Sequence, residues 1–92
     1  MMNAYEMITI LTSNVTDETR DEFIQKMKDL IGAEVDVTVE DWGRKKLAYE
    51  IKKQNEGYYL MFTFSSNPSD IAEMERVLRL NDTVLKHMVI KK

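Results

Sequence analysis

The 92-residue sequence has no cysteine and few of the residues on which catalytic and cofactor sites depend. Without cysteine it can form neither a disulfide framework nor a thiolate metal site, and it has no thiol nucleophile. Its three glycines are isolated at positions 32, 43 and 57, so no glycine-rich phosphate-binding loop is present. No stretch approaches the roughly 20 apolar residues that cross a bilayer, and the N-terminus does not resemble a signal peptide. We therefore expect a soluble cytoplasmic protein with no membrane partner.

The remaining candidates for chemistry are a single histidine and a group of acids. His87 is the only histidine, and the sequence gives it no partners for a metal or acid–base site. The acids Asp17, Glu18, Asp21 and Glu22 recur at helical spacing, which is more typical of a solvated helix face than of a metal site. We expect no enzymatic activity, no cofactor, no metal and no small-molecule substrate.

The charge is distributed unevenly. The chain has a net charge of −3, yet residues 42–53 (WGRKKLAYEIKK) contain five basic residues against Glu50 alone. This stretch could be an edge strand whose lysines discourage aggregation, or a surface that contacts the phosphates of a nucleic acid. Trp42 at its start could be a stacking platform for a base or a hydrophobic plug at a strand kink.

The hydrophobic pattern predicts six elements in a single domain over residues 1–92. It favours strands at 4–11, at 34–51 with a kink near Gly43, at 58–64 and at 83–90, with a hairpin turn at 54–57. Two amphipathic helices are predicted, one starting after Thr16 and ending at Gly32, the other starting with Asn67 and Pro68. The order predicts an α+β, ferredoxin-like βαββαβ fold, a four-stranded antiparallel sheet with two helices on one face.

Such a fold leaves the other sheet face without helices. In the strand at 58–64, alternate residues should face the helices, which puts Tyr59 and Met61 in the middle of the uncovered face. The first strand is apolar on both sides as well. An exposed apolar area of this kind usually marks an interface.

Four segments together resemble the bacterial small-subunit ribosomal protein six family. They are Tyr5 with Glu6, DWGRKKLAYEI at 41–51, GYYLM at 57–61 and LRLNDTVLK at 78–86, in the right order over nearly the whole chain. The resemblance implies a structural protein of the small ribosomal subunit that binds the central domain of small-subunit rRNA as a heterodimer with ribosomal protein eighteen. Glu50 departs from the family, which commonly has proline there.

The resemblance also implies which residues serve each contact. Transferred to the matching positions, the resemblance implies that five residues lie nearest the RNA: Arg44, Lys45, Lys46, Arg79 and Lys86. The uncovered sheet face makes Tyr59 and Met61 the candidates for the protein interface, and an acidic chain suits a basic partner.

Two other functions share parts of this pattern. An RNA recognition motif would stack bases on its sheet, but its third strand needs a basic residue before the glycine and a small residue between the aromatics. The sequence has Glu56 and Tyr59 at those places, which disfavours that mode. A regulatory domain that binds a metabolite at a dimer interface would not need a cluster of arginine and lysine on its edge strand.

Overall fold

A computed structural model describes residues 2–32 and 36–92. The elements, in chain order, are β1 (Asn3–Thr12), α1 (Asp17–Ile31), β2 (Thr38–Ile51), β3 (Gln54–Ser66), α2 (Pro68–Leu80) and β4 (Val84–Lys91). The strands form one antiparallel sheet in the order β2-β3-β1-β4. This confirms the predicted ferredoxin-like arrangement. Among the described helices, none has the length and apolar character needed to span a membrane.

Both helices begin where the sequence predicts. Thr16 is extended, and its side-chain oxygen accepts a hydrogen bond from the backbone N–H of Thr19 at 3.1 Å, which satisfies one of the free N–H groups at the start of α1. In α2, Pro68 occupies the first turn, where a missing N–H costs nothing. The side chain of Asn67 makes no capping bond; its backbone carbonyl accepts from Asp70 instead.

The main core lies between the helices and one face of the sheet. Alternate residues of β3 enter it, as predicted, and so do alternate residues of β1. Phe23 of α1 meets Phe62 of β3 in an edge-on contact with the ring centroids 6.3 Å apart. Each fully buried large apolar side chain contributes about 1.5–3 kcal/mol to stability, so this layer holds the helices on the sheet. The helix residues in the core are Phe23, Met27, Ile31, Met74 and Leu78.

The bounds of β2 and its turn differ from the prediction. The predicted start at position 34 lies outside the described residues, and Asp36 and Val37 precede the strand, which begins when Thr38 pairs with Thr63. The predicted turn at 54–57 is wrong, because Gln54 already pairs with Ile51. The turn is Lys52 and Lys53, with φ angles of 48° and 65°. Positive φ at both positions is typical of a type I′ turn, for which asparagine and glycine are the usual signal.

Two irregularities shape the edge strand β2. The pairing register of the described strands shifts between Asp41 and Gly43, which leaves Trp42 as an extra, bulged residue and confirms the predicted kink. A larger shift lies between Lys46 and Ile51. There β2 loses its regular pairing with β3, and its end packs over the face that carries no helices, where Tyr49 contacts Lys86.

This folded end of β2 covers part of the face that we expected to be open. Leu47 is buried there in a second hydrophobic cluster with Ile10 of β1 and Leu85 of β4, against which Ile51 and Tyr59 also pack. Gly57 lies directly below, where a Cβ atom would clash with Ile10 and lie 3.3 Å from Leu47 Cδ2. The close approach therefore depends on glycine.

Candidate nucleic-acid and protein interface

The basic residues of β2 lie on an edge of the sheet and alternate between its two sides. Arg44 is the cross-strand partner of Tyr58, which faces the helices, whereas Lys45 is the partner of Gly57 and faces the opposite side. Lys46 returns to the helix side. All three residues are exposed. The structure therefore brings these three predicted residues together, as a rim of positive charge that can be reached from both faces.

Arg44 also has contacts within the protein. Its Nε donates to the backbone carbonyl of Ser13 at 2.7 Å, and its Nη2 donates to that of Val15 at 2.8 Å. Its guanidinium carbon lies 5.3 Å from the centre of the Tyr58 ring. Arg44 thus holds the loop between β1 and α1 against the edge strand. Because an arginine has five N–H donors, these two bonds leave further donors for a phosphate.

A polar cluster around Tyr58 anchors the bulge to α1. The Tyr58 hydroxyl donates to Asp41 Oδ2 at 2.6 Å and accepts from Arg20 Nη1 at 3.1 Å. The bond to Asp41 raises the pKa of Tyr58 because it favours the protonated phenol, burial raises it further, and Arg20 opposes both. The other carboxylate oxygen of Asp41 accepts from the backbone N–H of Gly43 at 2.9 Å.

Sequence reasoning missed this cluster. Arg20 and Tyr58 are 38 positions apart along the chain, and neither stands in a motif that predicts their contact. Arg20 also forms ion pairs with Asp17 at 3.1 Å and Asp21 at 3.2 Å, so acids near the start of α1 are partly neutralised on the helix side of the fold. This arrangement limits their repulsion of a polyanion at the β2 edge.

Trp42 lies at the surface of this edge. It is 37% exposed and belongs to neither hydrophobic cluster of the described chain. The ammonium group of Lys45 lies 5.2 Å from the centre of its ring, within the range of a cation–π interaction.

The other two predicted RNA residues lie elsewhere. Lys86 is on β4, where it pairs with Ile10, and its Nζ lies 2.6 Å from the hydroxyl of Tyr49. This contact joins the two edge strands across the helix-free face, because the folded end of β2 reaches as far as β4. Arg79 is exposed in the last turn of α2, in the helix layer.

Beyond the folded end of β2, the helix-free face remains apolar. We call Ile8, Met61, Met88 and Ile90 the apolar strip; they share one face of β1, β3 and β4 in register. Met88 is 40% exposed and Ile90 52%, while Ile8 and Met61 are half-buried. Met61 thus lies in the strip as predicted, whereas Tyr59 packs against the second cluster.

A small cavity connects the strip to the folded end of β2. Its volume is about 150 Å³. Its walls combine apolar side chains with one lysine and are formed by Ile10, Leu47, Ala48, Tyr49, Ile51, Tyr59, Lys86 and Met88. Residues 2–32 and 36–92 contain no group of three or more His, Cys, Asp or Glu side chains that could hold a metal ion.

Comparison with known proteins gives one consistent result. A family model described as Ribosomal protein S6 matches residues 4–91. The small ribosomal subunit protein bS6 of Alkaliphilus oremlandii is 42% identical over 91 residues, covering 98% of this chain and 97% of the relative. That of Clostridium kluyveri is 44% identical over 92 residues, with the same coverage. The crystal structure of 30S ribosomal protein S6 from Thermotoga maritima superposes with a TM-score of 0.90 at 28% identity, covering 100% of this chain and 89% of that one.

Proposed function

The chain belongs to the ribosomal protein S6 family and is therefore a structural, non-enzymatic component of the small ribosomal subunit in the cytoplasm, and we propose which contacts hold it in that subunit. It binds the central domain of small-subunit rRNA as a heterodimer with ribosomal protein eighteen. The observation that carries this proposal is the presence of two surfaces of different chemistry: a cationic rim on β2 and an apolar strip on the helix-free face.

The cationic rim supports contact with RNA. Arg44, Lys45 and Lys46 project from both sides of one edge strand, and Lys86 adds a charge on the helix-free face. Cations that contact phosphates release condensed counterions, so such a rim favours a nucleic-acid backbone. Arg79 contributes a further charge in the helix layer.

The apolar strip supports contact with a protein. Met61 pairs across strands with Glu40, and Glu6 of β1, which forms an ion pair with Lys92 at 3.7 Å, pairs with Ile90 within the strip. The exposed Glu40 carboxylate beside an apolar surface favours a partner that is itself basic, as the partner of an acidic chain should be. Met61 in the strip and Tyr59, which is half-buried against the second cluster beside it, are the proposed contacts of this interface.

Binding of a central-domain rRNA fragment, with and without the partner protein, tests the proposal. We expect weak binding by the chain alone and a large gain when the partner is added. Met61→Glu should reduce that gain because it buries a charge at the protein interface. Tight RNA binding that the partner does not change would contradict the heterodimer.

Salt dependence tests the RNA surface separately. The variant Lys45→Gln/Lys46→Gln should lower the slope of log affinity against log salt by about 0.7–0.9 for each phosphate that the protein no longer neutralises. Lys26→Gln, which removes an exposed charge from α1, is the matched control and should leave the slope unchanged. An unchanged slope in the double variant would mean that these lysines only protect the sheet edge.

A further inference from the structure

One large aromatic side chain lies at the sheet edge, outside the hydrophobic core. Trp42 is the bulged residue of β2, lies outside both clusters of the described chain and is the only tryptophan in the sequence. Protecting an edge strand from aggregation requires charges, not an exposed indole. The position therefore indicates a binding role.

The surroundings of Trp42 select an anionic ligand. The Nζ atom of Lys45 lies over its ring, 5.2 Å from the ring centre, and Arg44 and Lys46 are on the same edge strand. This charge repels a basic protein and attracts phosphate. An aromatic ring beside a cation is the usual combination for an unpaired nucleotide, whose base stacks on the ring while its phosphate meets the cation.

The bulge is anchored on both sides of Trp42. On one side, Asp41 accepts from the Tyr58 hydroxyl at 2.6 Å and from the N–H of Gly43 at 2.9 Å. On the other side, Arg44 donates to two backbone carbonyls of the loop between β1 and α1. A backbone held in this way loses little further freedom when a ligand binds, which favours affinity.

We propose that Trp42 and Lys45 form a stacking site for one unpaired nucleotide of the RNA. The base stacks on the indole and the phosphate is bound by the Lys45 ammonium group. This proposal rests on the proposed function, because it assumes that the chain binds RNA, and it adds the kind of nucleotide that the β2 edge recognises.

Fluorescence of Trp42 tests the site without any substitution. Titrating the heterodimer with the central-domain rRNA fragment should quench the emission as the base stacks on the indole. Trp42→Leu should weaken RNA binding about 5- to 100-fold, while Trp42→Phe, which keeps an aromatic face, should lose less. Neither substitution should change the salt slope, whereas Lys45→Gln should lower it by about 0.7–0.9. Melting curves verify that each variant is folded.

The outcomes separate this proposal from the proposed function. If RNA binds in a partner-dependent way but does not quench Trp42, and Trp42→Leu binds as well as wild type, the stacking site is refuted and the proposed function stands. If the partner protein alone changes the emission and RNA changes it no further, Trp42 belongs to the protein interface and the proposal is wrong. If no RNA binds under any condition, both proposals fail.

Discussion

Replacing Tyr58 by phenylalanine removes one oxygen atom from the centre of the polar cluster and leaves the buried ring in place. The variant loses a hydrogen bond to Asp41 and one from Arg20, while the interactions of Arg20 and Arg44 with the ring face remain possible. Hydrogen bonds to charged groups contribute about 1.5–3 kcal/mol each. The side chains of Arg20 and Asp41 are 21% and 46% exposed, so renewed hydration offsets part of the loss.

We therefore expect Tyr58→Phe to lower the free energy of unfolding by about 1–2 kcal/mol at pH 7. In a domain of this size, each kcal/mol lowers the melting temperature by roughly 4–8 °C. Urea unfolding followed by Trp42 fluorescence and circular dichroism measures the difference. Tyr49→Phe is the matched control: its exposed hydroxyl is bonded only at the surface, so we expect a loss below about 0.5 kcal/mol.

The pH dependence follows from the raised pKa of Tyr58. Below the usual tyrosine pKa of about 10, the phenol is protonated in both the folded and the unfolded chain, and its contribution is fully present. As the pH rises above 10, the unfolded chain loses the proton first, so this stabilisation is lost as the pH passes through the raised pKa of the folded state. The difference between wild type and Tyr58→Phe should therefore shrink above pH 10. Both proteins contain the other tyrosines, so the effect of these residues on the free energy of unfolding cancels in the difference.

A double-mutant cycle with Asp41→Ala isolates the bond between the two side chains. The cycle subtracts the separate effect of losing the hydrogen bond from the Gly43 N–H to Asp41, and we expect a coupling energy of about 1 kcal/mol between Tyr58 and Asp41. Equal unfolding free energies for wild type and Tyr58→Phe, or zero coupling with Asp41, would refute the conclusion that this cluster anchors the bulge.

Substitutions at three further positions test local features of the fold, and the free energy of unfolding in urea is measured for each variant. Lys53→Gly should raise it by about 1 kcal/mol, because glycine adopts the positive φ of the turn without the strain of a side chain; no gain would mean that the lysine is unstrained. Gly57→Ala should lower it by about 1–3 kcal/mol, because the added methyl group clashes with Ile10, and an unchanged value would show that the second cluster can move aside. Thr16→Ala should lower it by about 1 kcal/mol because the bond from Thr19 is removed, whereas Thr16→Ser should keep most of that bond.

Short-range chemistry determines some features of this fold, and long-range pairing determines others. Thr16 and Pro68 mark the helix starts by short-range chemistry, and the alternation around Leu60 identifies the strand face that enters the core. The turn at Lys52 and Lys53 was missed because its residues carry no turn signal. Its position follows from the pairing of the strands around it, which local sequence does not report.

The candidate site shows the same division. Motif matching identified Lys45 among the rim residues, and strand alternation predicted the open-face position of Met61, but neither predicted the contacts of Arg44 with the loop before α1. Nor did the pattern predict that Leu47 would fold over the helix-free face, because this depends on how many residues of β2 bulge out of register.

The amino-acid sequence by itself determined the six elements, their order and hence the ferredoxin-like sheet, because periodicity and helix caps act over a few residues. Only the tertiary structure decided which part of the helix-free face stays exposed and how the Trp42 bulge is held. Those features depend on strand register and on contacts such as Arg20 with Tyr58, which join residues distant in the chain. Such contacts form only when the whole sheet has packed.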